Sequence, residues 1–148
     1  MARCEHPDIP YTVSYPNGWF VHPPDAERQI PPCAYFGPAP FELSPDRRGQ
    51  LAGHSVIVVL NRACMEYEEA PISRRDLVID AFPAWVAEVG PGFTQGIYHY
   101  VLNLTPDVPC HVAARQIVVE TRPERPGAYE DNKRVVDQMA TSLDVLEE

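Results

Sequence analysis

Residues 73–89 read SRRDLVIDAFPAWVAEV, and the fold class turns on them. Ser73 and Asp76 stand at the spacing of a capping box, hydroxyl and carboxylate placed to satisfy the free amides of a helix start. Leu77, Asp80, Ala81, Ala84, Trp85 and Glu88 follow at helical spacings. A helix is therefore expected over residues 73–89, kinked or split by Pro83 and ended by Gly90-Pro91-Gly92. A second helix is expected over residues 129–143, where Tyr129, Asn132, Val136, Met139 and Leu143 step by three and four. Glu130–Arg134 and Lys133–Asp137 would pair on its outer face.

Strand signals fill the space between. Tyr11-Thr12-Val13-Ser14-Tyr15 alternates, then Pro16-Asn17-Gly18 leads into Trp19-Phe20-Val21-His22, which predicts an aromatic hairpin about an Asn-Gly turn. Residues 33–36 read as a short strand closed by Gly37 and Pro38. Residues 55–60, SVIVVL, are continuously apolar after the serine and suit a central strand covered on both faces. Residues 95–104 and 110–121 read as two long strands of an antiparallel hairpin. The expected class is α+β, one domain over residues 1–148, with an antiparallel sheet of about five to seven strands.

Composition bounds the function. Among 148 residues, 12 basic and 21 acidic side chains leave a net charge of −9, which repels phosphate backbones and argues against nucleic acid as a partner. No apolar run reaches the roughly 18 residues of a membrane span. The N-terminus MARCEHPDIP lacks the hydrophobic stretch of a secretory signal, so the chain as written is expected in the cytoplasm. Ten of the 17 prolines precede Ser55, making that half loop-rich and its connectors rigid.

Four stretches resemble one known family: YTVSYPNGW (11–19), PCAYFGPAPF (32–41), YHYVLNL (98–104) and YEDNKRVVDQMATSL (129–143). In the same order along the chain they look like bacterial members of the PsbP-like family, whose relatives include the extrinsic PsbP subunit of photosystem II and a nuclear-import factor that binds the GTPase Ran. The resemblance implies a central antiparallel sheet with helices on both faces, an α/β/α sandwich. Many bacterial members are exported or lipid-anchored, which sets export as the alternative to a cytoplasmic location.

The four cysteines, Cys4, Cys33, Cys64 and Cys110, lack the spacing of zinc or redox motifs. Cys4 precedes the first hairpin and Cys33 follows a Pro-Pro loop at its irregular end, so any disulfide is expected to join these two, with Cys64 and Cys110 reduced. None of the five histidines pairs at ligand spacing. A register centred between Leu104 and Cys110 sets His99 against Arg115 and His111 against Asn103, so these two do not converge. Cys110 and His111 point to opposite faces of a strand and cannot form a nucleophilic pair.

Two function classes remain. The first is a non-enzymatic binding or interaction module with Trp19, Tyr35 and Phe36 as candidate surface, holding a protein or small apolar ligand; rigid loops could present these rings at little entropic cost, although core packing is the commoner fate of such side chains. The second is a small hydrolase-like or metal-dependent enzyme built on the acidic run Glu66, Glu68, Glu69 and a nearby histidine, a run that more often serves as a solvated loop. The lack of a phosphate loop, a nucleophile elbow or metal-spaced ligands favours the first, with no catalytic residue, cofactor or metal expected.

Overall fold

The computed structural model describes residues 1–42, 55–61, 73–89, 97–108, 115–121 and 128–146. Its strands are β1 (Ala2–Cys4), β2 (Tyr11–Tyr15), β3 (Phe20–Val21), β4 (Tyr35–Gly37), β5 (Val56–Asn61), β6 (Ser73–Ile79), β7 (Phe82–Val89), β8 (Ile97–Asn103), β9 (Gln116–Thr121) and β10 (Asp144–Val145), with helix α1 over Ala128–Thr141. Seven strands form an antiparallel sheet in the order β3-β4-β5-β9-β8-β7-β6, and β1-β2-β10 form a second. The expected α/β/α sandwich with helices on both faces is overturned. The described residues are mostly β, and the one helix among them packs on a single face of the larger sheet.

The correction lies chiefly in residues 73–89, which form the hairpin β6–β7 and not a helix. Asp80 and Ala81 both take positive φ, 50° and 69°, the pattern of a two-residue type I′ turn whose twist matches the flanking strands. Ile79 pairs with Phe82 across it, and Val78 with Pro83. Pairs alternate between hydrogen-bonded and non-bonded, so the missing N–H of Pro83 falls on the side away from β6. On that side the β7–β8 pairing ends at Ala84 opposite Leu102, and no ladder bond is lost. Pro83, the residue that would break a helix, is thus harmless in the strand.

Two further expectations change. The Asn17-Gly18 turn closes with the Trp19 amide donating to the Pro16 carbonyl at 3.1 Å. Only Gly18 has positive φ, so the turn follows the type II pattern, which splays strands. β2 therefore pairs with β1 and β10, while β3 pairs with β4, and the expected aromatic hairpin does not form. In the β8–β9 hairpin Asn103 lies opposite Gln116 and His99 opposite Glu120, not Arg115. A β-turn at Thr105–Val108, closed by the Val108 amide donating to the Thr105 carbonyl at 3.1 Å, follows β8.

β5 stands third in the seven-stranded sheet, as its unbroken apolar run leads one to expect, and Val56, Ile57 and Val58 are all buried. Alternation sends Val56, Val58, Ile117, Val119, Tyr100, Leu102, Ala84 and Val86 to one face. There they pack with Val136, Met139, Ala140 and Leu143 and, from the small sheet, with Tyr11 and Val13. The helix expected at residues 129–143 is present, and the spacing of its apolar stripe is what buries it. Each fully buried Val or Met side chain contributes about 1.5–3 kcal/mol.

Candidate functional site

Among the described residues, the largest set of interacting polar groups lies where α1 meets the sheet. Tyr98 and Tyr100 are two apart on β8 and so share the helix-side face. Both hydroxyls donate to Asp137 Oδ1 at 2.6 Å. Their rings meet edge to face, centroids 5.9 Å apart. One turn earlier on the helix, Lys133 forms an ion pair with Glu88 of β7, and the Tyr129 hydroxyl donates to the same carboxylate at 2.8 Å. The Lys133 ammonium also lies over the Tyr98 and Tyr129 rings, 5.0 and 5.6 Å from their centroids.

These contacts set the protonation states. Burial, and then the hydrogen bond to Asp137, push the Tyr98 hydroxyl well above its ordinary range; Tyr100 is raised by the same two causes. Burial followed by Glu88 raises Tyr129. The hydrogen bond from Lys133 holds Glu88 below the usual carboxylate range, and the same bond raises Lys133. At neutral pH the tyrosines are protonated donors, and Glu88 accepts from both Lys133 and Tyr129. Such contacts tie the helix to the sheet.

The sequence reading placed Asp137 with Lys133 on the outer face of the helix. The structure turns Asp137 to the two tyrosines, gives Lys133 to Glu88, and pairs Arg134 with Asp131 and not Glu130. The signal for the tyrosines was the Tyr-x-Tyr spacing on one strand face. Asn132 is buried alongside, its amide nitrogen without a hydrogen-bond partner.

A second candidate region is the N-terminal aromatic cluster. Phe36 is 0% exposed and belongs to the main core, so it drops out of the candidate binding surface. Trp19 and Tyr35 are half-buried; Trp19 packs against the main core, and Tyr35 against a smaller cluster of Ile30, Phe41 and Phe20. Phe20 meets Phe41 edge to face at 5.1 Å, and His22, which is buried, donates from Nδ1 to the Pro23 carbonyl at 2.8 Å. The loop between is tied down. Asp25 and Ile30 bridge, and the Asp25 carboxylate accepts from the amides of Glu27 and Arg28 at 3.1 and 3.3 Å.

The expected disulfide joins Cys4 to Cys33, with Cα atoms 5.8 Å apart. It fastens β1 to the Pro-Pro loop just ahead of Tyr35. The Cys33 carbonyl also accepts the buried Tyr11 hydroxyl at 3.0 Å. Cys64, Cys110, His54, His111 and the acidic run Glu66, Glu68 and Glu69 lie outside the described residues. Among the described residues no three His, Cys, Asp or Glu side chains gather as metal ligands do, and no helix is long and apolar enough to cross a membrane. No protein-family model matches the chain, and no curated protein shows significant similarity to it.

Proposed function

We propose that this chain is a non-enzymatic binding module that holds an apolar ligand, or an apolar patch on a protein, on the surface around Tyr35 and Phe20, on the sheet face opposite the main core against which Trp19 packs. The observation that carries this reading is that the platform is fastened before any ligand arrives. The Cys4–Cys33 disulfide, the Asp25–Ile30 turn and the Phe20–Phe41 contact hold the segments that carry Tyr35 and Phe20. Binding there orders little, and large rings with partly open faces supply contact area at small entropic cost. The interior cluster supports the same reading, because Glu88 and Asp137 are each committed to two structural partners. The disulfide further supports a place of work where thiols are oxidised, such as outside the cell or in an exported compartment.

Nile red, a neutral apolar dye, tests the proposal. The protein is expected to bind it saturably, and Tyr35→Ala or Phe20→Ala should weaken binding about tenfold, the loss of one well-packed ring, with far-UV circular dichroism unchanged. Binding unaffected by either change would defeat the reading. So would turnover of an ester, phosphate or glycoside that Glu66→Gln or Glu69→Gln abolishes.

A further inference from the structure

We propose that the outer edge of β6 is a self-association surface, which takes the β6 edge of a second copy of this chain in antiparallel pairing about a twofold axis through Leu77. At seven residues β6 is the long free edge of the larger sheet among the described residues; the opposite edge strand, β3, has two. Because Ile79 and Phe82 form the bonded pair at the turn, the backbone groups of Arg75, Leu77 and Ile79 face β7. Those of Arg74, Asp76 and Val78 face outward, a row that can template another strand. No lysine or proline protects it, and Val78 is 69% exposed, the most exposed large apolar side chain described.

Two observations name the occupant. First, the helix-side row Leu60, Ile117, Leu102, Ala84 and Leu77 is apolar from strand to strand and ends at the half-buried Leu77. Leu77 of a second copy, set directly opposite, continues that row instead of leaving it at solvent.

Second, charge selects the register. Residues opposite one another must share a face, so the axis passes through a residue. An axis at Arg74, Arg75 or Asp76 sets that charge against its own copy, and an axis at Val78 sets Asp76 against Asp80; like charges directly opposite are destabilising. An axis at Leu77 opposes no like charges. It sets Arg75 against Ile79, brings Arg74 toward the turn carrying Asp80, and lets Asp76 and Val78 exchange backbone hydrogen bonds in two reciprocal pairs.

Sedimentation equilibrium over a wide concentration range is expected to show a reversible monomer–dimer equilibrium. Asp76→Pro removes an outward N–H, together with an exposed carboxylate that pairs with Arg74 at 3.6 Å, and should weaken association about tenfold or more, as loss of a shared ladder bond does, without altering far-UV circular dichroism; Asp76→Asn, which keeps the N–H, should associate as the native chain does. Register is read separately by cross-linking in a background with Cys64→Ser and Cys110→Ser. Leu77→Cys should form an intermolecular disulfide rapidly, because Cβ atoms directly opposite lie about 4.5–5.5 Å apart; Arg75→Cys and Val78→Cys should not. A protein that stays monomeric throughout overturns the proposal. So does a dimer in which Leu77→Cys cross-links no faster than Arg75→Cys, whether or not Asp76→Pro folds.

Discussion

Cys4 and Cys33, 29 residues apart in the chain, are joined by a disulfide that pins the edge strand β1 to the loop ahead of β4. Arg3, next to Cys4, pairs with Asp144 of β10, so the same few residues also hold the two ends of the described chain together. Reduction or Cys4→Ser should therefore loosen the small sheet. A closed loop of this length is worth about 3–4 kcal/mol in the chain-entropy account. Urea unfolding with and without reductant should show the unfolding free energy fall by that amount, and a change under about 1 kcal/mol would mean the bridge constrains little.

That bridge was legible because proline rigidity and strand order placed two cysteines at one end of the N-terminal segment. β5 and α1 were legible because burial on two faces, or on one helical stripe, leaves an unmistakable pattern in Val56, Ile57, Val58 and in Val136, Met139. β6 was not. As an edge strand it shows Arg74, Arg75 and Asp76 to solvent on both faces, so the alternation that marks a strand is gone and Ser73 with Asp76 imitates a helix cap. The Tyr98–Asp137 contact was hidden for a different reason. Residue spacing gives the face on which each side chain stands, but which helix lands on which strand is a tertiary choice.

The β6–β7 turn supplies the second prediction. Ala81 holds φ at 69°, a left-handed conformation that costs a residue with a Cβ roughly 1 kcal/mol or more, and Asp-Gly is the favoured pair for a type I′ turn. Asp80 should stay, since its carboxylate accepts the Val145 amide at 2.7 Å and ties the hairpin tip to β10. Ala81→Gly should raise stability by about 0.5–1 kcal/mol, or about 1–4 °C in Tm at this chain length, after the larger backbone entropy of glycine when unfolded is subtracted. Calorimetry decides it; a lower Tm would show that Ala81 carries no strain worth relieving.

The last prediction concerns His99, which is 0% exposed, contacts Trp85 edge to face at 5.2 Å and has Glu120 as its cross-strand neighbour on the same face. Burial pushes its imidazole from 6.5 down to about 4. Above the unfolded value neither state is protonated, so His99 has no effect on the pH dependence there. Between that value and the folded one, the unfolded chain binds a proton that the folded protein does not. Stability then falls as pH falls, by up to about 1.4 kcal/mol per unit and on the order of 3 kcal/mol in all, and the effect levels off once the folded imidazole also titrates. His99→Leu, which fills the same buried site without a titrating group, should remove that part of the acid loss. Urea midpoints at pH 7 and about pH 5 provide the comparison: the native chain should lose more on acidification than His99→Leu by about 1–2 kcal/mol. Equal losses would place the acid sensitivity in other groups and remove His99 as its source.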